Sequence, residues 1–220
     1  MSLENMNDFF DNRADTYENH MLVDLQLAGF YEEIANCFHT NESNKNLLDL
    51  GCGTGLELER LFIKIPNLSV TGVDLSQKML NKLKVKYSNR KMKLVCSSYF
   101  DMDFGECCFD YALSTYSLHH FSEDDKAGLY KKVYMSLRDG GIFVEGDYTC
   151  DTMEQQLFYI AENERLRKES GITDGFYHYD IPFTVETQIK LLKNAGFDYV
   201  QLVKKWENTS IIVSRKRGMK

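Results

Sequence analysis

Short apolar runs of strand length alternate with segments of helical periodicity through the middle of this chain. "NLLDLG" is the first run, and "GLELERLFIKI" follows it with Leu56, Leu58, Leu61, Phe62 and Ile65 at helical spacing. "LSVTGVDL" predicts a second strand and "SQKMLNKLKVKY" the helix after it, with Ser76 as N-cap. "KMKLVCSS" gives a third strand. "FDYALSTY" gives a fourth, and "EDDKAGLYKKVYMSL" its helix, closed by "RDGG" as a C-cap turn before a fifth strand, "GIFVEGDYT". Such alternation builds a parallel sheet with helices on both faces and places ligand loops at the carboxyl ends of the strands.

Outside this core the pattern changes. "MNDFFDNRADTYENHMLVDLQLAGFYEEIANCF" reads as two amphipathic helices that no strand precedes. After the fifth strand the chain is helical, then loop-like and rich in aromatics as far as Pro182, with the spacing of Phe158 assigning that ring to the core. A helix, "TVETQIKLLKNAG", and an antiparallel pair, "FDYVQLVKKW" and "NTSIIVSRK", complete the sequence.

Composition narrows the function classes. At 220 residues, 43% of them hydrophobic, the chain suits one α/β domain, and its apolar runs are too short to span a bilayer. Its N-terminus is acidic and polar, unlike a signal peptide, and its cysteine usage gives cytoplasmic as the expected location. A net charge of −7 disfavours a nucleic-acid footprint, and the one dense basic run, "SRKRGMK", reads as a frayed tail. The six cysteines form no CxxC pair and no His/Cys cluster at zinc spacing, so neither a disulfide framework nor a metal is expected. Cys52 and Cys96 read as small hydrophobes within strand-like surroundings.

The chemistry concentrates in "LLDLGCGTGLELERL". Gly51, Gly53 and Gly55 lie between a strand and a helix, where a ligand can approach the main chain and meet free N–H groups at a helix N-terminus. A dinucleotide fingerprint requires GxGxxG, but Leu56 stands where its last small residue belongs, and no P-loop GKS or GKT is present. Nineteen positions after Gly55, Asp74 ends the second strand, placed to accept hydrogen bonds from both hydroxyls of a ribose. Loop and carboxylate together describe a nucleoside site that makes no demand for phosphate.

In order and spacing, "LLDLGCGTG", "VTGVDLS", "FDYALSTYSLHHF" and "LRDGGIFVEGDY" resemble the class I S-adenosylmethionine-dependent methyltransferases. The resemblance covers roughly residues 45 to 148, and the C-terminal strand pair is similar to that family's terminal hairpin. It implies a Rossmann-like, doubly wound, seven-stranded sheet, mostly parallel with a C-terminal antiparallel hairpin. The whole of 1–220 is then one methyltransferase domain: an N-terminal helical lid (1–40), a cofactor-binding core (45–148), a substrate-side insertion (149–182), and a terminal helix and strand pair (183–220).

The resemblance also implies site roles. Asp49, Gly51, Cys52, Gly53 and Gly55 would lie along the methionine part of S-adenosylmethionine, Asp74 would hold the ribose, and Leu75 and Met79 would flank the adenine. Ser97 and Ser98, with Tyr99 next, stand where the family usually has an acidic residue near the adenine amine; Asp101 replaces it only if the loop bends back. Ser114, Thr115 and Tyr116 would pass beside the methionine moiety. "FFDNRADTYE" resembles the lid of small-molecule methyltransferases, with Arg13 toward the methionine carboxylate and Tyr17 closing over it; a solvated arginine and a half-buried tyrosine are the plainer readings.

The expected activity is in-line methyl transfer to a small molecule, leaving S-adenosylhomocysteine. That reaction asks the protein chiefly for alignment in a dry pocket, so no triad is required. A base is needed only if the acceptor loses a proton. Candidates are His119 or its neighbour His120, and His178, Tyr179 or Asp180 in "GFYHYD". Competing expectations are a non-catalytic S-adenosylmethionine-binding protein or partner subunit, and a nicotinamide-dependent oxidoreductase. A nucleic-acid or protein methyltransferase is a third, although "STYSLHH" stands where amino-methylating enzymes carry (N/D)PP(Y/F). The accepting atom and the oligomeric state stay open.

Overall fold

Leu47 and Leu48 are adjacent in sequence, fully buried, and belong to different apolar cores. A strand sends neighbouring side chains to opposite faces, so both faces of the sheet are covered. The computed structural model describes residues 3–39 and 43–218. Its seven main strands are β1 (Lys45–Leu50), β2 (Leu68–Asp74), β3 (Met92–Cys96), β4 (Phe109–Thr115), β5 (Leu137–Cys150), β6 (Tyr199–Lys205) and β7 (Thr209–Arg215). They run in the order β3-β2-β1-β4-β5-β7-β6. The first five run parallel to one another, and β7 pairs antiparallel with both β5 and β6. A two-residue strand, Phe183–Thr184, adds to the end of β5.

The helices are α1 (Met6–Arg13), α2 (Ala28–Asn36), α3 (Leu58–Lys64), α4 (Gln77–Lys86), α5 (Glu123–Ser136), α6 (Met153–Glu169) and α7 (Val185–Ala195). One face of the sheet is covered by Phe30 and Ile34 of α2, Leu58 and Leu61 of α3, and Leu83 of α4. The other takes Leu129, Tyr130 and Val133 of α5 with Leu191 and Leu192 of α7. Ser76 caps α4 by accepting the Met79 amide, as its position predicts. Among the described residues no helix is long and apolar enough to cross a membrane.

Several expectations are corrected. The N-terminal region holds α1, a short turn at Tyr17–Asn19 that runs into a π-turn at His20–Asp24, and then α2. "RDGG" is not a C-cap: α5 stops at an extended Leu137, which already pairs with Phe109 in the sheet. The basic run is no frayed tail over its described part. Ser214 and Arg215 pair with Phe143 and Ile142, and Lys216 donates to the Leu137 carbonyl; Met219 and Lys220 lie outside the described residues. Phe158 is 62% exposed rather than in the core, because α6 touches the body of the protein through residues such as Gln156 and Leu166. Cys96 is exposed, while Cys52 is buried.

The strand order reverses between β1 and β4, whose following loops part in opposite directions. A crevice at that reversal is where open α/β sheets bind ligands.

Candidate functional site

The chain leaves β1 through Gly51 and Gly53 at φ +68° and +45°, conformations that favour glycine. A side chain at Gly51 would strike Ser117, which follows β4, so the two loops meet across the strand-order reversal with no room to spare. The Gly51 and Cys52 amides both donate to Val73 O, at 2.8 and 3.2 Å, fixing the loop to β2. Helix α3 begins only at Leu58, so the loop is longer than the apolar spacing suggests.

Asp74 closes the crevice on the β2 side. Its Oδ2 accepts the Gly53 amide and its Oδ1 the Ser76 amide, each at 2.8 Å, which aims the carboxylate while leaving lone pairs free. Burial pushes its pKa up to about 6 against the pull of those two amides. Asp49, at the end of β1, faces Glu57, and burial of the pair raises both, Glu57 to about 7. Neither Asp49 oxygen nor Glu57 Oε1 has a hydrogen-bond partner. Both residues lie behind the cleft rather than on its wall, and buried carboxyl oxygens left without partners gain from a positive charge nearby.

Gly51, Gly53, Asp74, Leu75, Met79, Tyr99 and Ser117 line a narrow cleft of about 40 Å³, capped by Met6, Phe10 and Tyr17 of the N-terminal segment. No Lys or Arg among the described residues lines it, so a pyrophosphate would meet no lysine or arginine there. Beside it opens a chamber of about 620 Å³. Phe10, Tyr17, Tyr116 and His120 line both spaces. Tyr116 holds φ at +46°, a rare conformation for a bulky residue, with its amide on Gly146 O and its hydroxyl on Thr209.

His119 and His120 form a single 3₁₀ turn after β4 and reach the chamber wall together. His119 Nδ1 lies 2.5 Å from Asp147 Oδ1, and its Nε2 lies 3.4 Å from Asp180 Oδ1. Burial opposes the imidazolium, but these two carboxylates outweigh it and raise the pKa to about 9. Burial and the neighbouring His119 lower that of His120. His178 stacks on Phe9, and burial lowers its pKa to about 4, so it is neutral at ordinary pH.

The other sequence candidates fall as follows. Arg13 sits on the chamber rim with its guanidinium turned to Glu4 and to Phe9 O, away from the cleft. Tyr17 borders both spaces. Cys52 is buried against Gly72, and Ser114 Oγ donates to Leu50 O, while Thr115 Oγ1 donates to Glu57 at 3.4 Å. Ser98 Oγ accepts the Phe100 amide and Ser97 Oγ donates to Ser98 O, whereas the Tyr99 ring lines the cleft. Asp101 is exposed. Tyr179 meets the cluster through its carbonyl, 3.3 Å from His120 Nδ1, and its phenol has Glu162 and Tyr159 of α6 as neighbours. Sequence reasoning missed Phe10, Ser117, Asp147 and the pairing of Asp49 with Glu57. "EGDY" at a strand end was the one available signal, since carboxyl ends of strands collect functional side chains.

A family model described as a methyltransferase domain matches residues 47–141. A carboxy-S-adenosyl-L-methionine synthase of Helicobacter hepaticus is 27% identical over 198 residues, covering 82% of this chain and 81% of the relative. Its namesake in Campylobacter hominis is 26% identical, covering 97% of this chain and 93% of the relative. Among solved structures, phosphoethanolamine N-methyltransferase 2 of Haemonchus contortus, in complex with S-adenosyl-L-methionine, superposes with a TM-score of 0.69 at 16% identity, covering 96% of this chain and 60% of that one. Human N-acetylserotonin methyltransferase, also in complex with that cofactor, does so at 0.62 and 18%, covering 85% of this chain and 51% of that one.

Proposed function

We propose that this chain, which matches a methyltransferase-domain model over residues 47–141, is a class I S-adenosylmethionine-dependent methyltransferase that transfers the methyl group to a small acceptor held in the 620 Å³ chamber. The observation that carries this reading is the wall that cleft and chamber share: Phe10, Tyr17, Tyr116 and His120 border both. A group leaving the cleft therefore meets the chamber across a shared wall, and the chamber has the size of an ordinary small-molecule site.

The cleft fits S-adenosylmethionine on its own chemistry. Asp74 accepts from the ribose hydroxyls, Leu75 and Met79 take the adenine, and Gly51 and Gly53 let the methionine part lie on the main chain. Asp49 and Glu57 bias the site toward the cationic end of that ligand. Tyr99, rather than Ser97 or Ser98, supplies the side chain next to the adenine. When bound, the cofactor supplies an electrophilic methyl carbon on a sulfonium. The protein's part is to align the acceptor, exclude water with Phe10 and Tyr17, and take up a proton where the acceptor has one to lose. His178 lines the chamber with Nε2 3.9 Å from Asp180 Oδ1 and is placed to accept that proton, although burial, which lowers its pKa to about 4, makes it a weak base.

The test is formation of S-adenosylhomocysteine from methyl-labelled cofactor across a panel of phenols, amines and hydroxy acids. His178→Ala should abolish turnover on the active acceptor at unchanged cofactor affinity; wild-type rates would remove His178 from the role. A second reading follows from the name of the curated relatives, in which the cofactor would leave bearing a carboxyl group. Mass spectrometry of the cofactor product separates the two readings.

A further inference from the structure

We propose that His119, His120 and Asp180 form a binding site for one divalent transition-metal ion in the wall of the chamber. The ligand atoms of these residues lie within 4.8 Å of one another, although Asp180 is 60 positions along the chain from His120. The fold brings them together by pinning the segment after His178 to the 3₁₀ turn, with the Ile181 amide donating to His119 O at 2.7 Å.

Two of the three ligand-atom separations match those around a bound metal ion. An ion held tetrahedrally with bonds of about 2.0–2.1 Å sets its ligand atoms about 3.4 Å apart. Asp180 Oδ1 lies 3.4 Å from His119 Nε2 and 3.3 Å from His120 Nδ1. Charge-assisted hydrogen bonds are shorter, about 2.7–2.9 Å. Asp180 Oδ1 is moreover shielded from solvent with no hydrogen-bond partner, even though the Asp180 side chain as a whole is 45% exposed. An oxygen equidistant from two imidazole nitrogens and bonded to neither is placed as a ligand is placed.

The surroundings supply a third observation. Ligating histidines usually engage a carboxylate with their other ring nitrogen, which fixes the ring and raises its basicity. Asp147 does this for His119 through the 2.5 Å contact at Nδ1, and is itself held by the Leu118 and Tyr148 amides. His120 Nδ1 has one competing contact, the Tyr179 carbonyl at 3.3 Å, which it gives up on ligation. His178 Nε2, 3.9 Å from the shared oxygen, is the nearest further nitrogen. Two imidazoles and one carboxylate suit zinc, cobalt, iron or manganese rather than calcium or magnesium.

All three residues line the chamber, so positions the protein leaves open are reached from there. An acceptor hydroxyl or carboxylate on the ion would be oriented beside the cleft. That consequence rests on the chamber being the acceptor site; the metal site itself does not.

The experiment uses tag-free, chelator-stripped protein titrated with cobalt(II) chloride under visible absorption and with zinc chloride by calorimetry. The expected result is one equivalent per chain with a nitrogen/oxygen cobalt spectrum. Zinc affinity should fall at least about tenfold in Asp180→Asn and by a similar factor in Asp147→Asn. S-adenosylmethionine affinity should be unchanged in Asp180→Asn, which shows that the variant is folded. Absence of stoichiometric binding overturns the proposal. So does binding that Asp180→Asn leaves intact with sulfur-to-cobalt charge transfer, which places the ion at the exposed Cys107 and Cys108.

Discussion

Asp147 and His119 are 28 residues apart and meet at 2.5 Å in the buried wall between strand ends and chamber. The other Asp147 oxygen accepts the Leu118 amide at 2.8 Å, so one carboxylate sets both the turn and the ring that the turn carries. Removing it leaves the Leu118 amide without its partner and the buried imidazole with only the 3.4 Å contact to Asp180. Asp147→Ala should cost about 3–5 kcal/mol in urea-unfolding experiments. A loss within experimental error of zero would mean that the pair is not formed in solution.

Asp74 is expected to dominate cofactor affinity. Asp74→Ala removes a charged acceptor and should weaken S-adenosylmethionine by about 1.5–3 kcal/mol, roughly ten- to a hundred-fold in Kd. Calorimetric titration checks this, and an unchanged constant would move the ribose elsewhere.

The buried acids should leave a pH signature. Burial raises Glu57 to about 7 and Asp74 to about 6, so the folded protein keeps protons that the unfolded chain has already lost. The resulting stabilisation is complete below the unfolded carboxylate values and is lost as pH rises to about 7. Glu57→Gln should therefore flatten the fall in unfolding free energy between about pH 5 and 7. A cationic ligand should in turn raise Tm more at about pH 8 than at about pH 5.5, because the carboxylates are then ionised. Identical pH profiles for wild type and Glu57→Gln would refute the assignment.

The cleft, at about 40 Å³, is far smaller than the several hundred cubic ångströms that a cofactor-sized ligand fills. Met6, Phe10 and Tyr17, which cap it, are therefore expected to swing aside before binding. Rapid mixing should show an association rate that saturates with S-adenosylmethionine concentration, and Phe10→Ala should raise the plateau. A rate linear in concentration for both proteins would show that the segment does not gate the cleft.

The sheet was legible because its signals are local. Leu56, Leu58, Leu61, Phe62 and Ile65 keep helical spacing and are all buried, and Gly196 ends α7 in the left-handed conformation at the expected place. Asp74 was legible for the same reason, sitting at a strand end a fixed distance beyond the glycines. The chamber was not. His119, Asp147 and Asp180 lie far apart in sequence, and only the strand order and the Ile181–His119 contact bring them together. Helical spacing also misplaced Phe158, because periodicity reports a face without saying whether anything covers it.

The most direct measurement is calorimetric titration of the wild-type protein with S-adenosylmethionine and S-adenosylhomocysteine, with NAD as control. The expected result is micromolar binding of the first two, lost or strongly weakened in Asp74→Ala, and no binding of NAD. Binding of NAD, or of neither adenosyl ligand, would contradict the assignment of the glycine loop and its buried carboxylates to that cofactor.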